Sequence, residues 1–333
     1  PLVVIECKSP LLKNPTDDAI SQHLRSQQED GIRSLYVYSQ LLLALAGHEA
    51  RYATTATKEE FWSVWKERFG SEKDKEKFEA RVRELKNTVP VEEQKNHLFQ
   101  PPFAGAKTHF EQLWQEECSV TAQDRLLYCL CRPARLLELI FSFVLYDQSE
   151  KKVCRYQQYF AVQKVMRRIE KLYENGKRKG GVLWHTQGSG KSLTMVYLAQ
   201  HIAMSKNIKN PQIVLVTDRI DLDDQIKETF KKCDKNVHQA TTGRDLLEQI
   251  RRESGDVITT VINKFGNAVK NASDVFDSPD IFILVDEGHR TQYGSLAMKM
   301  RRMFPNGCFI GFTGTGVSRP AWKDSIILWK ELS

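Results

Sequence analysis

The stretch GVLWHTQGSGKSLTMVYLAQHIAMS, Gly181–Ser205, decides the fold. GVLWHT (Gly181–Thr186) reads as a strand and KSLTMVYLAQHIAMS (Lys191–Ser205) as a helix. Between them lies HTQGSGKS, His185–Ser192. Gly188 and Gly190 let the backbone curl until successive N–H groups converge, and a helix starting near Lys191 adds the positive end of its dipole. That combination holds phosphate. The pattern G-x-x-x-x-G-K-[ST] is met except at its first position, where His185 replaces glycine. Gly188, Ser189 and Gly190 would line the phosphates, Lys191 would reach the β- and γ-phosphates, and Ser192 would ligate Mg²⁺.

Downstream, apolar runs recur as QIVLVTD (Gln212–Asp218), VITTVI (Val257–Ile262), IFILVDE (Ile281–Glu287) and CFIGFTG (Cys308–Gly314). Helix-forming segments separate most of them. Strands alternating with helices predict a parallel sheet covered on both faces. One strand delivers two acids, in VDEGH (Val285–His289), 95 residues after Lys191 (286 − 191). Ligands collect at the C-terminal ends of such strands. Asp286 would hold Mg²⁺ through water and Glu287 would polarise the attacking water. Together the two motifs read as a nucleoside triphosphatase using Mg²⁺.

Upstream the chain is different. It opens with PLVVIECKSP, in which an apolar strand runs into Glu6, Cys7 and Lys8. Alternation puts residues 6 and 8 on one face. A polar helix follows around Asp17–Ser26, then the apolar run LYVYSQLLLAL. Phe61, Trp62, Trp65 and Phe69 recur at helical spacing, which predicts a helix over Lys58–Phe69. Alternating charge in Ser71–Lys86 predicts a solvated helix. QPPFAG (Gln100–Gly105) reads as a loop, and Ser119–Tyr146 as an apolar helical hairpin turning at Arg132–Pro133.

Length and composition set outer bounds. The 333 residues suggest two domains, and 41% hydrophobic with 27% charged residues is ordinary for a globular protein. No apolar run approaches the ~20 residues of a membrane span. Seven cysteines form no metal or secretory pattern, as expected of free thiols in a reducing cytosol. A net charge of +7 permits a polyanionic partner without identifying one.

These motifs resemble one family closely. A P-loop, then D-E-x-H, then FTGT (Phe312–Thr315) is the order of superfamily 2 helicases and translocases. Trp184–Ser192, WHTQGSGKS, is written as in the motor (R) subunit of type I restriction–modification enzymes. VTDRIDLDDQI (Val216–Ile226), TTVINKF (Thr259–Phe265) and RYQQYFAV (Arg155–Val162) are similar to that family's segments in the same order.

The resemblance implies a division into a partial restriction-endonuclease-like nuclease domain with a helical extension, residues 1–118, and a first RecA-like motor domain, residues 119–333. Gln158 would lie near the adenine. Thr217, Arg219, Thr259 and Thr260 would lie along the DNA backbone, while Thr313 and Thr315 would couple the nucleotide state to DNA grip. E-C-K would be the acid–x–Lys of a nuclease: Glu6 a Mg²⁺ ligand, Lys8 a stabiliser of the attacking hydroxide or the strained phosphate, and Gln22 an orienting group. In the family's Q-x-x-x-Y, however, Ser26 stands where Tyr is expected. Gly316 likewise replaces the Pro of T-G-T-P.

The implied activity is ATP-dependent translocation on double-stranded DNA coupled to its cleavage. Modification (methyltransferase) and specificity subunits would be partners, in a prokaryotic cytoplasm and with no membrane contact. The family's upstream nuclease Asp and second RecA-like domain are not in these residues, so neither activity is expected of the chain alone. Two other readings compete: another superfamily 2 helicase or translocase, and a non-catalytic DNA-binding fragment.

Overall fold

The computed structural model describes residues 1–147, 150–184, 190–217, 236–252, 256–271, 274–286, 299–314 and 326–328. They form two compact units, Pro1–Ile140 and Phe141–Ser333.

The first unit is built on a three-stranded sheet. Strand β1 (Val3–Cys7) is followed by helices α1 (Pro15–Ser26) and α2 (Arg33–Tyr36), then β2 (Leu41–Ala46) and β3 (Glu49–Ala53). β1 pairs parallel with β2, and β2 antiparallel with β3. Every residue of β2 is buried. The LLLALA run is therefore a strand covered on both faces, which is why it lacks alternation. α1 buries Pro15, Thr16, Ala19, Ile20 and His23, one stripe of its surface. Ala19 and Ile20 join Leu42, Ala44 and Trp62 in one apolar cluster, with Val4 packed against it.

Residues 58–69 depart from the expected helix. Only one 3₁₀ turn forms, at Glu59–Phe61. Beyond it the chain is extended, and Ser63 exchanges backbone hydrogen bonds of 2.8 and 3.0 Å with Tyr52 of β3. Pairing with the open edge of β3 outweighs the helical spacing. Trp62 and Trp65 are buried there by stacking on His23 at 5.3 Å and by an edge contact with Tyr52 at 5.7 Å.

The charged helix α3 (Glu72–Lys86) forms as expected, capped by Ser71 and burying only Val82. Two short helices, α4 (Glu92–Leu98) and α5 (Lys107–Leu113), bury no residue. The hairpin is α6 (Ala122–Cys131) and α7 (Pro133–Ser142), broken at Arg132. It ends earlier than expected, because Tyr146 lies in strand β4 (Val144–Asp147), paired antiparallel with β5 (Glu150–Val153). α6 is fastened within the first unit. The Gln123 amide N–H donates to Gly47 O at 3.1 Å, and Arg125 holds Glu79 through two bonds of 2.7 and 3.0 Å. Residues 119–140 thus pack with the first compact unit.

The second unit continues with α8 (Tyr156–Ile169), β6 (Gly181–Trp184), α9 (Lys191–Met204) and β7 (Gln212–Thr217). Then come β8 (Val237–Gln239), α10 (Gly243–Arg251), β9 (Val257–Val261), α11 (Ile262–Asn271), β10 (Ile281–Val285), β11 (Cys308–Thr313) and β12 (Ile326–Leu328). Seven described strands form one sheet in the order β12-β6-β11-β10-β7-β9-β8. Every neighbouring pair is parallel. The α/β architecture with a parallel sheet is thus the one expected. β7 and β10 are buried along their whole length, as central strands of a doubly covered sheet should be. A core of Val214, Val216, Ile258, Ile283, Phe265 and Phe304 fills one side.

At the start of the sheet, Arg178 is nearly buried and donates to Asp280 Oδ1 at 2.6 and 3.0 Å and to the carbonyls of Ile169 and Glu170 at 2.9 Å. Arg178→Ala should destabilise the second unit by ~3 kcal/mol, because it strips a partly buried carboxylate of its cation. Urea unfolding followed by tryptophan fluorescence measures this; a midpoint equal to that of the parent would contradict it.

Candidate functional sites

Because the large sheet is parallel, its strands all end at one edge. Thr217, Val261, Asp286 and Thr313 close β7, β9, β10 and β11 or follow them directly. Residue pairs confirm the alignment: Val285 lies beside both Val216 and Gly311, and Thr313 beside Trp184.

α9 starts at this edge. Its cap, Gly190, has φ +83°, a left-handed conformation that side chains rarely adopt. No acidic residue occupies the first turn, so nothing there offsets the positive end of the helix dipole. Lys191 Nζ lies 2.9 Å from Asp286 Oδ1, with side chains 18% and 4% exposed. The two motifs, far apart in sequence, therefore meet in one place. The Gly190 carbonyl accepts from Thr194 N and Oγ1, both at 3.0 Å, and from Gln158 Nε2 at 3.1 Å. Gln158 Oε1 accepts the Arg155 N–H at 2.8 Å. The buried Gln158 amide thus caps α8 and props the end of the phosphate loop, a contact that reading it as an adenine neighbour did not foresee.

The Asp286 carboxylate and the Ser192 hydroxyl are hard-oxygen donors, a chemistry that fits Mg²⁺. Gly188, Ser189, Arg219, Glu287 and Thr315 lie outside the described residues. Thr217, Thr259 and Thr260 are 2%, 0% and 3% exposed, and among the described residues the Thr259 hydroxyl has no hydrogen-bond partner. Thr217 ends β7, and Thr259 and Thr260 lie in β9 just before its end. Thr313, 1% exposed, is likewise buried at the end of β11.

The smaller site lies in the first unit. Alternation along β1 puts Val4 and Glu6 on the face that packs against α1, and Ile5 and Cys7 on the other. Lys8 Nζ pairs with Glu6 Oε1 at 2.9 Å and donates to Gln22 Oε1. The expected trio is therefore assembled, its two charged side chains about a quarter exposed. Among the described residues, no cluster of three or more His, Cys, Asp or Glu could hold a metal ion.

Behind Gln22 lies a group that the sequence reading missed. His23 is fully buried; its Nε2 meets Leu43 O and its Nδ1 meets Tyr36 Oη, both at 3.0 Å. A carbonyl only accepts, so Nε2 carries the proton and Tyr36 donates to Nδ1. This ties α1 to β2 and α2. The signal was the His beside Gln22 in QHLRS, on a face whose burial only the fold reveals.

One family model, SWI2/SNF2 ATPase, matches residues 157–326. The chain belongs to the SWI2/SNF2 ATPase family. Membership of an ATPase family implies the use of ATP. A second family model, type I restriction enzyme R protein N terminus, matches residues 1–61. The two matches bear out the resemblance to type I R subunits. A putative type I restriction enzyme endonuclease subunit of Methanocaldococcus jannaschii is 30% identical over 95% of this chain and 28% of its own length. The type I restriction enzyme HindI endonuclease subunit of Haemophilus influenzae is 32% identical over 96% of this chain and 29% of its own length. The chain thus spans under a third of these relatives. A solved SWI2/SNF2 ATPase core of Sulfolobus solfataricus in complex with dsDNA covers 54% of this chain and 34% of its own, at 15% identity and a TM-score of 0.38. That overlap is too small to extend the complex to this chain. Among the described residues, no helix is long and apolar enough to cross a membrane.

Two predictions follow from these geometries. Lys191→Ala should weaken binding of a fluorescent ATP analogue on the order of 100-fold, since it truncates a nearly buried charge pair; unchanged affinity would refute the site. The second concerns pH. Burial pushes His23 below its ordinary value of 6.5, helped by Lys8 and opposed by the Leu43 carbonyl and Glu6. The unfolded chain then binds this proton more readily than the folded one. Stability is full above pH 6.5 and falls as pH drops below it. In urea melts across pH 7.5 to 5, His23→Gln should flatten this dependence relative to the parent; an identical slope in both would contradict it.

Proposed function

We propose that this chain is part of the DNA-translocating and DNA-cleaving motor subunit of a type I restriction–modification complex. The observation that carries the reading is the presence of two chemically distinct clusters on one polypeptide: Lys191–Asp286 at a phosphate loop, and Glu6–Lys8–Gln22 at the end of a separate strand. The names of the curated relatives support it.

In this reading Lys191 grips the β- and γ-phosphates, Ser192 and Asp286 hold Mg²⁺, and Glu287 orients the attacking water. The metal would supply charge neutralisation on the phosphates. Gln158 couples the base end of the nucleotide to Gly190. Thr217, Arg219, Thr259 and Thr260 would lie along the backbone of double-stranded DNA, and phosphate contacts there grip without reading sequence. Thr313 and Thr315 transmit the nucleotide state. Lys8, oriented by Gln22, stabilises charge at the scissile phosphate. Modification and specificity subunits would choose the site, in a prokaryotic cytoplasm.

The test uses the full-length protein with those subunits, following plasmid cleavage and phosphate release together. Lys8→Ala should abolish cleavage and leave duplex-stimulated ATP hydrolysis near normal, while Lys191→Ala should remove both. Cleavage by the Lys8→Ala protein would contradict the nuclease assignment. ATP hydrolysis indifferent to duplex DNA would contradict the motor assignment.

A further inference from the structure

A parallel sheet has a second pole. Every crossover into a strand returns to the edge opposite the Lys191–Asp286 site, so the segments ahead of β6, β7, β10 and β11 gather there. Side chains and backbone lace them together. Lys177 Nζ donates to Pro305 O at 2.9 Å, Ser205 Oγ to Glu170 Oε1 at 2.7 Å, Asn306 Nδ2 to Asp277 O at 2.7 Å, and the Gln212 N–H to Asp280 O at 2.9 Å.

This continuous surface is basic. Lys171, Lys177, Lys179, Lys206, Lys209 and Arg302 are exposed on these segments, against exposed Glu174 and Asp277. Lys171 and Lys179 are held in place, with Nζ atoms 5.2 and 4.2 Å from the centre of the Tyr173 ring. Lys177 is exposed and, among the described residues, its ammonium donates to one carbonyl. A plain alternative is that cations here complement helix C-termini. That accounts for Arg167 and Arg168 in the last turn of α8, but Lys171–Lys179 lie beyond its end at Ile169.

We propose that this pole is a second contact for the phosphate backbone of duplex DNA, one that does not depend on bound nucleotide. The proposal rests on the motor reading above. Cations spread along an edge suit a rod with a charge every ~1.7 Å better than a single acidic patch on a protein. The pole lies a strand length from the nucleotide, roughly 15–20 Å, well beyond a Debye length of ~8 Å. Its charges therefore do not feel the γ-phosphate come and go. A grip of this kind would retain DNA while the opposite edge cycles.

The experiment measures binding of a fluorescent 25-base-pair duplex to the chain across 50–200 mM salt, with and without ATP. The triple variant Lys171→Gln/Lys177→Gln/Lys179→Gln touches nothing in the nucleotide site. Its log K against log salt slope should be shallower by about 2–3, with on the order of 10-fold weaker binding at low salt, equally with and without ATP. Affinity for a fluorescent ATP analogue should not change. If parent and variant bind the duplex alike, the proposal fails, the motor reading stands, and the pole passes to an acidic protein surface. A parent chain that binds no duplex also overturns the proposal, while the motor reading is decided by duplex-stimulated ATP hydrolysis of the full-length protein. A loss seen only with ATP present overturns the claim of nucleotide independence.

Discussion

The second unit depends on one ion pair, between Lys191 at the start of α9 and Asp286 at the end of β10. β6 and β10 are not neighbours; β11 lies between them. The pair therefore forms only if three strands are in register, with Val285 beside Gly311 and Thr313 beside Trp184. Asp286 is nearly buried, and a buried carboxylate needs a cation. Lys191 is one such partner. A pair that bridges two motifs in this way brings the start of α9 and the acidic end of β10 to one place.

Much of this architecture was legible because its signals are local. The strand and helix of Gly181–Ser205 carry their own punctuation in Gly188 and Gly190, and β7 and β10 are uninterrupted apolar runs. Glu6 and Lys8 share a face by strand alternation, and Gln22 meets Lys8 as the family pattern implied. What escaped depends on partners distant in sequence. Trp62 and Trp65 have helical spacing, but the open edge of β3 recruits Ser63 and holds the segment extended. His23 gives no sign of burial until Tyr36 and Leu43 close around it. The motif match at Thr217, Thr259 and Thr260 likewise gave no information about exposure, and all three are buried.

The two clusters differ in completeness. The nucleotide edge brings together a loop cap, a lysine, a hydroxyl position and a carboxylate from separate elements of one sheet. Glu6, Lys8 and Gln22 make a positioned acid–base–amide trio at the end of β1 and on α1, yet no group of three or more His, Cys, Asp or Glu that could hold a metal ion occurs among the described residues. Lys8 pairs with Glu6, and its proposed role is to face phosphate. Its Gln22 partner fixes the ammonium between strand and helix, and His23 in turn fixes the helix.

The most direct measurement of the central claim is the Mg²⁺ dependence of ATP-analogue binding in the parent and in Asp286→Asn, at constant ionic strength. If Lys191 and Asp286 belong to one nucleotide–metal site, Mg²⁺ should tighten binding to the parent and have little effect on the variant, which lacks the carboxylate charge. Equal enhancement by Mg²⁺ in both proteins would contradict it.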